Sequence, residues 1–293
     1  EVLKTLVEMS QPEALRIQTR RETVVSLLND WVSMGGESFK TVDPVDKVYT
    51  GRIDESLIGR IAAVRFSNRD VTHIRDSLWY ARISKLVASA ATTDLERATG
   101  LFFYVTRNIV LRSDEDTSLP LAPFGVAMFG EGNSRDRAWL FVSLLRQLRI
   151  DAVVLQAADS TNDVLVGVLL DGKVYLYDPR IGLPVPVEKS TAKTGLIGRP
   201  ATLSEALQEP SLLESLSPSK DTPYRFSAES LAEVRVLLVG ATSYWAPRMR
   251  RLQLALSSDD DVLLWQPLEA SEIIPEGALA RVAKVKAKGF DEA

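Results

Sequence analysis

The sequence predicts an α+β protein: a central helix packed on an antiparallel sheet, with a helical N-terminal region before this core and a small α/β C-terminal region after it. Three observations predict it. Residues 134–148 read as a helix that is apolar around much of its circumference; such a helix belongs in the middle of a domain, not on its surface. Two apolar runs, Val164–Leu170 and Lys173–Tyr177, flank Asp171-Gly172, a dipeptide that favours a tight hairpin. Upstream, apolar residues recur at helical spacing in three separate segments. The expected division is 1–69, 70–190 and 191–293.

Residues 12–34 read as an amphipathic helix, with Pro12 in its first turn and Gly35-Gly36 at its end. Residues 37–60 are broken by Pro44 and Gly51, and Ile61–Phe66 is too short a run to assign to strand or helix. A second helix is expected over 70–91, where Val71, Ile74, Leu78, Ile83 and Leu86 share helical spacing. A third covers 94–111, with Thr93 or Asp94 as cap, and 112–122 is a polar loop. Gly130-Glu131-Gly132-Asn133 is a turn, after which Asn133 or Ser134 caps the central helix and Asp136 suits the positive end of its dipole. Ala152–Leu155 is a buried strand. Residues 182–228, with several prolines and a short helix at 203–207, read as a partly extended linking region. A strand at 232–239, a helix at 246–256 opened by Pro247, a strand at 262–265 and a basic piece at 279–288 complete the chain.

Composition narrows the function classes. The 293 residues are 45% hydrophobic and 25% charged, the balance of an ordinary globular protein. A net charge of −4 with interleaved signs gives no basic face for nucleic acid. The absence of cysteine rules out disulfides, thiolate metal sites and a thiol nucleophile, and a single histidine, His73, rules out a multi-histidine metal site. No cofactor or metal is expected. No apolar run is long enough to span a membrane. The chain begins at Glu1, which fits an extracytoplasmic protein after signal removal as well as the ordered part of something longer.

The stretch Gly132-Asn133-Ser134-Arg135-Asp136-Arg137-Ala138, followed by Leu144-Leu145-Arg146 and Arg149-Ile150, resembles the transglutaminase-like domains, relatives of papain-type cysteine enzymes. That family has Gly-x-Cys-x-Asp-x-Ala, an apolar helix ending in Leu-Leu-Arg, a Gly-Ile link and a strand. Residues 96–109 resemble the helix that precedes the nucleophile helix there. The likeness covers roughly residues 70–180. It implies a nucleophile position at Ser134, a histidine position at Asp163 and an aspartate position at Asp178, before Pro179.

Those three residues do not make the parent chemistry. A serine hydroxyl needs a base of near-neutral pKa, whereas an aspartate carboxylate, ordinarily of pKa about 4, is too acidic to activate an alcohol. The simplest roles are structural: Ser134 as a helix cap, Asp163 as a turn residue before a strand, Asp178 as a strand end. The other candidates are weaker. His73 sits on a helix before the segments that carry the likeness, 96–109 and 132–150. Gly130-x-Gly132 lacks the third glycine of a dinucleotide loop. Ser217-Pro218-Ser219-Lys220 has Ser-x-x-Lys spacing, but its proline opposes the helix that motif needs. Three readings stay open: a non-catalytic transglutaminase-like module binding a protein or peptide, a Ser134-dependent hydrolase or acyltransferase, and a structural subunit of a larger assembly.

Overall fold

A computed structural model describes residue 8 and residues 18–35, 54–113, 121–158, 160, 162–187, 199–256, 262–269 and 276–284. The protein is α+β, and its main sheet is antiparallel throughout. The chain folds into two compact units, residues 1–83 with 240–281 and residues 84–239 with 282–293. This grouping joins segments distant in the chain, unlike a division in chain order at residues 69 and 190.

In the first unit, α1 (Gln18–Met34), α2 (Glu55–Ala62) and most of α3 (Asn68–Ala88) accompany a 3-10 turn at Thr242–Trp245 and α10 (Pro247–Ala255). Helix α1 matches the expected segment from Gln18 onward; residues 12–17 and Gly36 lie outside the described residues. Helix α2 resolves the ambiguity at 61–66: Asp54 accepts a hydrogen bond from Ser56 N and starts a helix that ends at Ala62. Val24, Leu28, Val71, Ile74, Met249, Leu252 and Leu264 form the core. Arg248 is buried there, pairing with Asp70 at 2.7 Å and donating to the carbonyls of Arg60, Ile61 and Ala63. The strand expected at 262–265 is absent. Its backbone bonds are satisfied locally, because Gln253 Nε2 donates to the Val262 carbonyl and Gln253 Oε1 accepts from Leu264 N. His73 Nε2 lies 2.8 Å from the Leu264 carbonyl and its ring is edge-on to Tyr244, the setting of a structural histidine.

The second unit holds the central helix and the main sheet. Helix α4 (Asp94–Asn108) starts with a full capping box between Thr93 and Glu96. Strand β1 (Val110–Leu111) follows at once, so the helix stops three residues earlier than its apolar pattern suggests. Helix α5 (Pro123–Phe129) ends at Gly130, whose φ of 68° is open to glycine without strain. Strand β2 (Glu131–Gly132) pairs in parallel with β1 and leads into the central helix α6 (Ser134–Gln147).

Strands β3 (Asp151–Gln156), β4 (Val164–Leu170), β5 (Lys173–Asp178), β6 (Leu183–Pro184) and β7 (Arg235–Leu237) form one sheet in the order β6-β5-β4-β3-β7. The expected hairpin joins β4 to β5, with Leu170 opposite Lys173. Asp171 and Gly172 both have positive φ, 50° and 71°, as the mirror-image turn that suits sheet twist requires. Helix α6 lies against β3 and β4. Its Phe141 meets Phe102 and Tyr177, the three rings tilted or edge-on with centroids 5.0–5.5 Å apart, and the Tyr177 hydroxyl is 2.9 Å from Thr99 Oγ1.

Two expectations need correction here. Within 182–228 the described residues, 182–187 and 199–228, are not a linker: β6, α7 (Leu203–Gln208) and α8 (Ser211–Glu214) place Val185, Ala201, Leu203, Ala206, Leu212, Leu213 and Phe226 in the core under the sheet. Pro184 ends the edge strand β6, and Pro200, Pro210, Pro218 and Pro223 sit between short elements, positions where a missing N–H costs little. The strand expected at 232–239 shrinks to Arg235–Leu237, since Ser227 and Ser230 cap a helical turn, α9 (Ala228–Ala232), just before it. Residues 278–284 form α11 (Ala278–Lys284), and 285–288 lie outside the described residues.

Candidate functional site

The start of α6 is a built corner. Asn133, not Ser134, is the cap: its Oδ1 accepts from Asp136 N at 2.9 Å, while Asp136 Oδ2 accepts from Asn133 N at 3.1 Å. Gly132 is needed beside it, because a Cβ there would meet the Asp136 Cβ at 2.9 Å. Arg112 Nη2 adds an ion pair to Asp136 at 3.6 Å. Ser134 therefore stands one residue inside the helix. It is fully buried, and its hydroxyl donates to the Asn162 carbonyl at 3.2 Å.

Asp163 follows Asn162 and precedes β4. Its Oδ1 is held by Arg180 Nη1 at 3.1 Å and lies 3.2 Å from Arg225 Nε. Asp178, at the end of β5, is also fully buried. Its Oδ1 accepts from the backbone N–H groups of Arg180 (2.8 Å) and Ile181 (3.2 Å) and from Arg225 Nη2 (2.5 Å). Its Oδ2 accepts from the Tyr224 hydroxyl at 2.5 Å. Burial, with the adjoining Asp178 charge, pushes the Tyr224 phenol well above its ordinary pKa and keeps it a neutral donor.

The three positions named from sequence thus fall into one neighbourhood. Asp163 and Asp178 share the Arg225 guanidinium, and Ser134 bonds the residue that precedes Asp163. A second arginine links the helix start to the same strand end. Arg137, buried in the first turn of α6, donates through Nη1 to the Pro179 carbonyl at 2.9 Å, through Nε to the Ile109 carbonyl at 3.1 Å and through Nη2 to the Thr106 carbonyl at 3.4 Å. Burial lowers its pKa, but a guanidinium starts so high that it stays charged.

Sequence reasoning missed Arg225, Tyr224, Arg180 and Arg137. One signal pointed to Arg225: it stands between two aromatics in Tyr224-Arg225-Phe226, and its guanidinium lies 5.9 Å and 5.5 Å from their ring centroids. An arginine alternating with large rings is a residue folded against something. Nothing in the local pattern says which carboxylates it meets, since both lie more than 40 residues earlier.

Chemically the arrangement is an ion-paired knot: Arg225 and Arg180 match Asp163 and Asp178, Arg137 bonds backbone carbonyls, and the buried serine donates a hydrogen bond to a carbonyl oxygen, which is no base. Among the described residues no group of three or more His, Asp and Glu could hold a metal ion, and no helix is long and apolar enough to cross a membrane. No protein-family model matches the chain, and no curated protein or solved structure matches it.

Proposed function

We propose that this chain is a non-catalytic, transglutaminase-like protein, in which the positions of a former cysteine–histidine–aspartate site have become structural and the domain acts as a protein- or peptide-binding or structural module. The observation that carries the reading is Arg225 seated between Asp163 and Asp178, 3.2 Å from one and 2.5 Å from the other. An imidazole in the parent arrangement would take and return a proton. A guanidinium in its neighbourhood cannot, because it stays protonated throughout the accessible pH range. The order of elements supports the family reading: a helix opened by Gly132-Asn133-Ser134, then antiparallel strands bearing Asp163 and Asp178. The burial of Ser134 supports the loss of chemistry, since a nucleophile must be reached by its substrate.

The test is a turnover assay of the chain beside Ser134→Ala, with a peptide, an activated ester, and a glutamine amide plus a primary amine as substrates. The expected outcome is the same background rate in both. Turnover by the unmodified chain that disappears in a folded Ser134→Ala variant would instead establish a serine hydrolase or acyltransferase.

A further inference from the structure

Asp171-Gly172, the tip of the β4–β5 hairpin, is the one place in the sequence where glycine follows aspartate or asparagine. With no side chain, glycine leaves its backbone nitrogen unshielded. That nitrogen can attack the side-chain carbonyl of the residue before it and close a five-membered ring. Asp171, Gly172 and Lys173 are all exposed. Ladder pairing ends with Leu170 opposite Lys173, so the Gly172 N–H has no ladder partner, and no turn bond among the described residues uses it. Among the described residues no hydrogen bond or ion pair holds the Asp171 carboxylate. A Cβ built on Gly172 would meet nothing within 4 Å, so the tip has open space in which to swing about the Asp171 Cα–C bond and bring the nitrogen onto Cγ. Exposed loop tips are where such freedom concentrates.

At comparable places the same chemistry is closed off. Asp76 precedes Ser77 inside α3, where the backbone N–H is spent on the helix. Asn133 precedes Ser134, but its Oδ1 caps Asp136 N at 2.9 Å. Asp163 N, which follows Asn162, donates to Ser160 Oγ at 3.3 Å. Asp178 is followed by Pro179, which has no N–H to lose.

We propose that Asp171 is a site of covalent self-modification, where the aspartyl linkage isomerises to an isoaspartyl one. The Gly172 nitrogen bonds to Asp171 Cγ; the hydroxyl of the neutral acid and the proton of the nitrogen leave together as water, and a succinimide remains. Water then adds back. Opening at Cγ restores aspartate. Opening at the main-chain carbonyl routes the chain through Cβ and Cγ and leaves the former main-chain carbonyl as a side carboxylate. One water leaves and one returns, so mass and charge end unchanged and no oxidant or reductant is needed. The main chain is one methylene longer, which a two-residue turn cannot absorb while Leu170 faces Lys173, so the end of the hairpin frays. No residue of the Ser134 neighbourhood takes part, and the inference stands apart from the binding-module reading.

The test holds the full chain in neutral buffer at physiological temperature and samples it over weeks. Isoaspartate is counted by transfer of a labelled methyl group from S-adenosylmethionine with an isoaspartyl carboxyl methyltransferase, and placed by electron-transfer fragmentation of the peptide that holds residue 171. The expected result is methyl incorporation that grows with time and maps to residue 171, with faster hydrogen exchange of the Leu170 and Lys173 amides in the modified fraction. Asp171→Gly leaves a Gly-Gly turn that suits the hairpin and should lose most of the incorporation. Asp171→Asn keeps a favoured Asn-Gly turn; its side chain expels ammonia instead of water, and it should gain the mass of deamidation sooner than the parent isomerises. No growth with time, isoaspartate placed mainly at other residues, or incorporation unchanged in Asp171→Gly would overturn the proposal. So would isomerisation that appears only after unfolding in urea, which would mean that the hairpin locks the tip, or an Asp171→Asn variant that keeps its amide throughout.

Discussion

Replacing Arg225 by alanine should destabilise the protein by about 3–5 kcal/mol, the usual consequence of stripping one partner from a buried ion pair. The structure sets the expectation at this level. Asp178 is wholly buried, and Arg225 supplies one of its four hydrogen bonds, at 2.5 Å. Without Arg225 the carboxylate keeps two backbone N–H groups and the Tyr224 hydroxyl, but loses the cation that offsets its charge. Asp163 still retains Arg180 at its rim, so the damage centres on Asp178. For a compact unit of this size the change corresponds to a fall in Tm of roughly 6–20 °C, measurable by calorimetry alongside urea titration. Arg225→Leu combined with Asp178→Asn removes both charges while keeping the amide oxygen for its donors, and should regain roughly 1 kcal/mol or more over Arg225→Ala. An Arg225→Ala variant within about 0.5 kcal/mol of the parent would refute the argument, because the guanidinium would then be an ornament on a carboxylate that needs no counter-charge.

Further expectations follow from the same geometry. Burial, working against the Arg75 and Arg21 charges, raises the Asp76 carboxyl to about 6. Its folded pKa lies above the unfolded value, so the stability it contributes is full below about pH 4 and is lost as pH rises through about 6, by at most about 3 kcal/mol. Asp76→Asn should flatten that part of the stability profile between pH 4 and 8 and raise Tm at pH 8; an unchanged slope would count against it. Asn133→Ala removes the cap and should cost about 1 kcal/mol, more than Ser134→Ala, which takes a donor from the carbonyl of the exposed Asn162; urea midpoints in the reverse order would contradict this assignment. Gly167→Ala places a Cβ 2.6 Å from Val174 Cγ1 and 3.3 Å from Val153 Cγ2, and should cost about 1–3 kcal/mol by overpacking the sheet, as read from thermal unfolding.

Local chemistry made much of the second unit legible in the sequence. Asp171-Gly172 between two apolar runs can do little but turn, and its two positive φ angles are those an aspartate and a glycine tolerate. The apolar breadth of residues 138–145 required burial, and α6 is the most enclosed helix of the unit. Thr93 with Glu96 and Asn133 with Asp136 are capping pairs whose spacing alone sets a helix start. The same local rules allowed two answers at residue 134, and the reciprocal bonds of Asn133 and Asp136 decided it.

Only the tertiary structure decided the rest. A run such as Val262–Trp265 has strand propensity, but a strand needs a ladder, and here one glutamine side chain supplies those bonds instead. Residues 182–228 looked like a linker because their apolar residues carry no single period. Those that the described residues 182–187 and 199–228 place in the core are buried by short elements folding back under the sheet, which no window along the chain can detect. The candidate site is of the same kind. Ser134, Asp163 and Asp178 could be placed by likeness to a family layout, yet their chemistry is governed by Arg225, 47 residues beyond Asp178. Sequence determines which side chains carry charge. Which opposite charge reaches them inside the protein depends on the fold, because burial makes that pairing obligatory while leaving no trace in the local pattern.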